Sequence, residues 1–221
     1  MTAKAVPDVT GGGKLLALVA LVGVCTFGAA CASAIPGRPG AESDDPASIE
    51  GITIVDYPLA EHVTADQRVN YRFSPPIGGR HDSVWAQCTG TVYDVPIRSE
   101  NAVHSLEHGA VWITYDPERL SGSALADLAA RVDGSSYLLL SPYPGLEAPL
   151  SLQSWGHQLF VDDPEDERVG RFVRTLRQNP DTHPEPGATC STIPGAFDPQ
   201  NPPPFVATPP DPTSPDTLPE R

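Results

Sequence analysis

The stretch AVWITYDPERLSGSALADLAARVDGSSYLLLSPY, residues 110–143, decides the fold class. It opens with β-branched and aromatic residues that stop at Asp116-Pro117, which is typical of a strand. Leucines and alanines then recur at helical spacing between a serine that can cap a helix and Gly134, which can end one. The apolar run after it closes at Pro144-Gly145 and predicts a short buried strand. The stretch therefore indicates strand, helix and strand in succession.

The residues that follow extend this pattern. PLSLQSWGHQLFVDD, residues 149–163, predicts one or two further strands with a bend at Gly156. EDERVGRFVRTLRQN, residues 165–179, predicts a helix with one apolar face, formed by Val169, Phe172, Val173 and Leu176. With an earlier strand at residues 91–97, the order predicts a single α+β domain. We expect a mostly antiparallel sheet with helices on one face, ferredoxin-like in outline.

Segments of unusual composition limit this domain to residues 49–178. Residues 36–48, PGRPGAESDDPAS, are polar and rich in glycine and proline, and they predict a flexible linker. Residues 179–221 form an acidic tail crowded with proline. Because proline lacks an amide donor and fixes φ, this tail is predicted to be disordered.

The charge balance excludes one class of partner. The chain has 14 basic and 28 acidic residues, a formal net charge of −14, and no basic cluster. Because contacts to phosphate supply most of the non-specific affinity for nucleic acids, DNA and RNA are not expected partners.

The N-terminus predicts export. Residues 15–35, LLALVALVGVCTFGAACASAI, are uncharged and follow Lys4 and Lys14, as in an export segment. Gly28-Ala29-Ala30-Cys31 resembles a lipobox, which would give a lipid anchor at Cys31. The run is also long enough to span a bilayer uncleaved, and Ala32-Ser33-Ala34 fits ordinary signal cleavage with release. We expect residues 1–35 to hold the protein at the extracytoplasmic side of the cell membrane, by lipid or by a single span.

The cysteines agree with that location. Cys25 and Cys31 lie in the export segment, so the exported part contains only Cys88 and Cys190. Two cysteines in an oxidising compartment usually pair. The sequence therefore predicts a disulfide that ties the start of the tail to the domain.

The stretch VHSLEHG, residues 103–109, is the main candidate for chemistry. A short helix capped by Ser99 and ended by Gly109 would place His104 and His108 one turn apart on one face, with Glu107 beside them. Imidazoles at this spacing can bind one metal ion. The stretch therefore predicts a histidine-centred site on one helix.

Two further histidines can join this site. His81 follows a Gly-rich loop and His157 lies near the predicted strand bend, and such a set suits copper or zinc. The only methionine is the initiator, so no Met-rich motif supports copper(I). His62 and His183 fall in irregular segments and are predicted to be solvated.

Two other interpretations of the same residues stay open. HSLEH matches the H-x-x-E-H pattern of zinc hydrolases, with Glu107 as general base, although Gly109 ends the helix at once. Alternatively, His104 and His108 bond backbone carbonyls in purely structural roles, and the protein is an interaction module of the cell envelope. The expected partner is accordingly a metal ion or an envelope protein, and no reaction follows from the sequence.

Several of these segments resemble a known family. PPIGGRH (75–81), WAQC (85–88) and ENAVHSLEHG (100–109), with the later SPYPGL and SWGHQL, resemble the bacterial family known as domain of unknown function 3105. The resemblance covers roughly residues 52–173, and VHSLEHG is its most specific part. It implies an exported or membrane-anchored protein of actinobacterial type, and it names no activity.

Overall fold

The computed structural model describes residues 44–220, which belong to one compact unit. The predicted export segment, with Cys31, and most of the predicted linker lie outside the described residues. The described end of that linker is ordered, because Pro46–Ser48 forms a 3-10 turn that contacts the last helix. Among residues 44–220, no helix has the length and hydrophobicity needed to cross a bilayer.

The described chain contains three α-helices and ten strands, most of the strands short. The helices are α1 (Ser99–Glu107), α2 (Gly122–Val132) and α3 (Glu167–Leu176). The strands are β1 (Thr53–Ile54), β2 (His62–Val63), β3 (Arg68–Asn70), β4 (His81–Asp82), β5 (Thr89–Val92), β6 (Val111–Tyr115), β7 (Leu138–Pro142), β8 (Leu150–Ser154), β9 (His157–Val161) and β10 (Thr217–Pro219). The strands and helices predicted from residue 110 onward are therefore present, and residues 149–163 form two strands that turn at Trp155-Gly156.

Six strands form one mixed sheet in the order β1-β9-β8-β6-β7-β5. The chain runs antiparallel through β1, β9, β8 and β6, but β7 lies parallel to both β6 and β5. This arrangement differs from the predicted ferredoxin-like, mostly antiparallel outline. The reason is α2, which carries the chain back along the sheet so that β7 enters parallel to β6, as a helical crossover does.

The helices lie on both faces of this sheet, so the prediction that they share one face is wrong. Along β6, Val111 and Ile113 pack in one core with the apolar sides of α2 and α3. Trp112, between them, packs in a second core with α1, as does Leu139 of β7. We call these two sides the α2/α3 face and the α1 face.

Residues 179–220 were predicted to be a disordered tail, and the structure contradicts this. Cys190 is bonded to Cys88, Phe197 is buried in the α1-face core, and Glu220 is buried. Near the end, β10 pairs in parallel with β3. Prolines do prevent long helices and ladders, but an extended chain can still be held by a cross-link, a short strand and buried side chains. The domain therefore extends well beyond the predicted limit at residue 178.

Candidate metal centre

Helix α1 is enclosed on all sides and carries two of the predicted site residues. Arg98 stands at its N-cap instead of the predicted Ser99, and the helix ends at Glu107 with His108 as C-cap. Every residue from Glu100 to Glu107 is buried. Because the helix is covered by the sheet on one side and by upstream loops on the other, the His104 and Glu107 side chains point into protein and not into bulk water.

Two very short strands bring further histidines to α1. Strand β2 pairs in parallel with β4, which sets His62 directly opposite His81. The ring of His62 lies 5.0 Å from that of His81 and 4.8 Å from that of His104, and the rings of His81 and His104 are also 4.8 Å apart. Three imidazoles thus converge from three separate elements.

The carboxylate of Glu107 lies at the centre of these rings. Its Oε2 is 2.9 Å from Nε2 of His81, 3.6 Å from Nε2 of His104 and 3.7 Å from Nε2 of His62. One ligand atom from each of the four residues lies within 4.8 Å of all the others. With metal bonds of the usual length, ligand atoms around a tetrahedral zinc ion lie about 3.4 Å apart. The four residues therefore need only a small adjustment to enclose one ion, and we call them the inner group.

A second set of ligands adjoins the first and shares two of its members. His104, Glu107, His108 and Glu185 also place ligand atoms within 4.8 Å of one another. Nε2 of His108 lies 3.4 Å from Oε2 of Glu185, whose side chain is 49% exposed. The predicted residues His81, His104, Glu107 and His108 thus belong to one continuous cluster. The last of them pairs with an acidic residue of the tail.

Backbone carbonyls fix the tautomers of the buried imidazoles. Nδ1 donates to the carbonyl of Gly79 in His81 (2.8 Å), to that of Asp82 in His104 (2.7 Å), and to that of Thr189 in His108 (2.8 Å). Since a carbonyl oxygen only accepts, each neutral ring carries its hydrogen on Nδ1 and presents a lone pair at Nε2. The predicted bonds to backbone carbonyls are therefore present, but they leave the Nε2 atoms facing one another.

In their neutral forms these rings place acceptors against an acceptor. The Nε2 lone pairs of neutral His81 and His104 would both point toward the Glu107 carboxylate, and the 2.9 Å from His81 to Glu107 is a hydrogen-bonding distance. Two acceptors at that separation repel unless a proton or a cation lies between them. Histidines held by backbone carbonyls at one nitrogen and open at the other are the usual form of metal ligands.

Burial sets the protonation of the cluster. It lowers the pKa of His104 to about 3, with the neighbouring His81 adding to the effect, and it also lowers the pKa of His108. Burial alone would raise the pKa of Glu107, but the hydrogen bond and the charge of His81 outweigh it, so this pKa falls below its usual value. His104 and His108 are thus neutral and Glu107 is anionic near neutral pH, which is the form that binds cations.

Charged residues behind the cluster hold β4 in place. The Asp82 carbonyl orients His104, and the Asp82 carboxylate forms a buried ion pair with Arg98. Nε of Arg98 also lies 3.3 Å from the Glu100 carboxylate on α1. This network joins the strand that carries His81 to the helix that carries His104, so the spacing of the two rings depends on it.

The glycines before His81 permit close cover by the end of the described chain. Gly79 has φ +86°, and a Cβ there would lie 2.5 Å from the carbonyl oxygen of Glu220. That carbonyl accepts a hydrogen bond from the amide of Arg80, and the Glu220 carboxylate accepts one from the hydroxyl of Tyr57. A side chain at position 79 would thus displace the segment that covers the loop of His81.

Comparison with known proteins places this cluster in a family. A family model described as "Protein of unknown function (DUF3105)" matches residues 62–192, more than half of the chain. The chain belongs to this family. The DUF3105 match begins at His62 and includes every residue of both ligand groups, together with Cys88 and Cys190. No curated protein and no solved structure matches the chain.

Two histidines of this DUF3105 protein lie against the cluster although the sequence did not place them there. His62 is exposed, as predicted, but it also belongs to the inner group. His183 was predicted to be exposed in the tail, but it is buried and its Nδ1 donates to the carbonyl of Glu107 at 3.0 Å. A two-residue strand gives no periodicity that would reveal His62. His183 was missed because the tail was taken to be disordered.

His157 does not join the cluster. It is buried, its Nδ1 donates to the carbonyl of Trp155, and it belongs to neither ligand group among the described residues. It instead lines a separate groove of about 460 Å³ together with Trp155 and His183. Of the five metal ligands predicted from the sequence, the structure thus brings four together.

The hydrolase pattern HSLEH takes an unusual form in this DUF3105 protein. A general base acts through a water bound to the metal, so it stands outside the ligand set. Here the Glu107 carboxylate lies among the imidazole nitrogens, and His108 comes after the last residue of the helix. Glu107 therefore occupies the position of a ligand.

Proposed function

We propose that this DUF3105 protein is a membrane-anchored, extracytoplasmic protein that binds a divalent transition metal, copper(II) or zinc, in its inner group. The ligands would be Nε2 of His62, His81 and His104, with Oε2 of Glu107. One observation carries the proposal: the Nε2 atoms of buried histidines, whose Nδ1 atoms are held by backbone carbonyls, converge on one buried carboxylate.

The donor set supports copper(II) or zinc. Imidazole nitrogen suits both ions, whereas magnesium and calcium take oxygen ligands. Soft sulfur ligands are absent from the inner group, since its four members are three histidines and one glutamate. This composition gives no reason to expect copper(I), which prefers thiolate and thioether.

The cellular location rests on two features. The Cys88–Cys190 disulfide is of the kind that forms in oxidising compartments outside the cytoplasm. The uncharged residues 15–35, preceded by Lys4 and Lys14, provide the anchor. In membrane fractionation the full chain should partition with the membrane, and recovery of most of it as a soluble chain beginning at Ile35 would contradict the anchor.

Titration calorimetry of the metal-free protein at neutral pH tests the metal site. Zinc and copper(II) should each bind with a dissociation constant below about a micromolar, and His104→Ala should weaken binding by about a hundredfold or more. His157→Ala is the matched control, because His157 is also buried and also bonded to a carbonyl through Nδ1 but lies outside the inner group. Circular dichroism checks that both variants fold.

The controls make the result decisive. If His104→Ala and His157→Ala weakened metal binding equally, the effect would come from removing any buried histidine and would therefore be structural. Binding weaker than about a micromolar in the unmodified protein, or unchanged binding in a folded His104→Ala protein, would overturn the proposal.

A further inference from the structure

Two residues of the second ligand set, His108 and Glu185, lie outside the inner group, and we call them the outer ligands. Nε2 of His108 and Oε2 of Glu185 lie 3.4 Å apart, and the ring hydrogen of His108 is committed to the carbonyl of Thr189. A lone pair therefore faces a carboxylate here too, as it does in the inner group. We infer that the centre holds a second divalent cation, bound by His108 and Glu185 and bridged to the first by Glu107. The inference rests on the proposed function, because the bridge is a ligand of the inner site.

The number of available lone pairs decides how many ions His104 and Glu107 can each bind. An imidazole nitrogen has one lone pair, so His104 can serve only one ion at a time. A carboxylate has two oxygens and can serve two ions. The contacts of Glu107 with His62, His81 and His104 are all made by Oε2.

The other oxygen of Glu107 is available to the outer ion. Among the described residues, none donates a hydrogen bond to Oε1 of Glu107, although the side chain is only 4% exposed. This oxygen is not committed to a protein donor and can take a cation as a ligand. Glu107 is therefore suited to bridge two ions, with Oε2 among the inner ligands and Oε1 left for the outer ion.

Glu185 is held at this position by the backbone. Its amide donates to the carbonyl of Glu107 at 3.2 Å, and Nδ1 of His183 donates to the same carbonyl at 3.0 Å. A few residues later the chain is cross-linked, because Cys190 is bonded to Cys88. The tail thus returns to the end of α1 at a fixed place, and the carboxylate of Glu185 meets His108 for a structural reason.

The two ions would differ in affinity and in access. The inner ion would have four protein ligands, three of them buried. The outer ion would have His108, Glu185 and a share of Glu107, with water completing its shell. Since Glu185 is 49% exposed, this ion is open to solvent and would exchange faster. The geometry points to a carboxylate-bridged pair with one tightly held ion and one exchangeable ion.

Zinc stoichiometry measured on the full-length protein tests this. After equilibrium dialysis against buffered free zinc, the unmodified protein should hold two ions per chain. Glu185→Gln and His108→Ala should each hold one, with the affinity of that ion changed by less than about tenfold. Glu118→Gln, which alters an exposed glutamate outside both ligand groups, should still hold two.

Copper(II) gives a second readout that surface binding cannot imitate. Two copper(II) ions bridged by one carboxylate couple magnetically, so the doubly loaded protein should show a spin-coupled electron paramagnetic resonance spectrum. Glu185→Gln, equilibrated with the same free copper(II), should show the spectrum of an isolated copper(II) ion.

The outcomes separate the two proposals. One ion per chain that is lost in His104→Ala would overturn the second site and leave the proposed function standing. No bound ion in the unmodified protein would overturn both. Two ions that persist in Glu185→Gln and in His108→Ala, or two uncoupled copper spectra, would place the second ion elsewhere and overturn the bridged pair.

Discussion

The two faces of the sheet differ in what they bury. The α2/α3 face is packed by aliphatic and aromatic side chains, among them Leu150 and Leu152 of β8 and Phe172 of α3. On the α1 face the intervening residues of the same strand, Ser151 and Gln153, are polar and equally buried. One strand therefore faces an apolar core on one side and, on the other, a core in which apolar side chains are mixed with buried polar groups.

The ionisable groups follow the same division. Asp82, Arg98, Glu100, His104 and Glu107 are all buried around α1. Burying charged groups costs free energy unless they are paired, and a well-packed apolar core would serve stability as well or better. The α2/α3 face is accordingly built for stability, and the α1 face keeps polar groups that a metal ion would use.

A substitution on the α2/α3 face should have the largest effect on stability and none on metal binding. Phe172 is fully buried in that core, so Phe172→Ala should lower the free energy of unfolding by about 3–5 kcal/mol through lost burial and a cavity. Zinc affinity, measured by calorimetry at a temperature where the variant is folded, should stay within about threefold. A parallel fall in affinity would show that the two faces are energetically coupled and would break the comparison.

Removal of the disulfide should affect the α1 face unevenly. The bond closes a sequence separation of 102 residues, and Cys88→Ser with Cys190→Ser should lower the free energy of unfolding by about 2–5 kcal/mol. Because Glu185 and Thr189 precede Cys190, the loosened tail should also release the outer ion. The ligands of the inner group lie upstream of the disulfide-linked tail and should keep the inner ion.

Denaturation and zinc stoichiometry, both read on the double variant, check this expectation. Unmodified protein that has not been reduced is the reference. A fall in the free energy of unfolding of less than about 1 kcal/mol would mean that other contacts hold the tail. If both ions were retained, the outer site would not depend on the disulfide.

The α2/α3 face was largely predictable from the sequence. The 3.6-residue period in α3 identified Val169, Phe172, Val173 and Leu176 as its apolar face. Three of them are buried, and Val173 is partly buried against the same core. Such periods report which side of an element meets a core. They do not report which strand pairs with which, so the parallel position of β7 and the placement of α1 on the opposite face were missed.

The sequence predicted those parts of the α1 face to which a local motif or compartment chemistry points, and it added His81 because this residue follows a Gly-rich loop. His104, Glu107 and His108 lie within one turn and were identified together, and the pairing of Cys88 with Cys190 followed from compartment chemistry. His62 and Glu185 reach the cluster through long-range contacts: a two-residue strand pairing and the return of the tail. Neither contact leaves a local pattern in the sequence. The proline content of the tail also led to a prediction of disorder, which the structure contradicts.

The pH dependence of folding gives the finest test of the difference between the faces. Burial, with the neighbouring His81, lowers the pKa of His104 to about 3 in the folded protein, against 6.5 as its ordinary value. Below pH 6.5 the unfolded chain therefore binds a proton that folded His104 does not. Stability from this group is fully present above pH 6.5 and is lost as the pH falls toward 3, by up to about 1.4 kcal/mol per pH unit.

The contribution of His104 is isolated by comparing, in metal-free proteins, the slopes of the free energy of unfolding against pH. Urea unfolding between pH 5 and 6.5 avoids the carboxylates, including Glu107, whose pKa lies below its usual value. His108, His157 and His183 also have pKa values lowered by burial and add slope of the same sign. His104→Gln should remove about 1 kcal/mol per pH unit from the total slope, because glutamine binds no proton. Phe172→Ala should keep the full slope despite its larger loss of stability. An unchanged slope in His104→Gln would show that folded His104 takes up its proton at the same pH as in the unfolded chain, and so that burial does not keep it neutral.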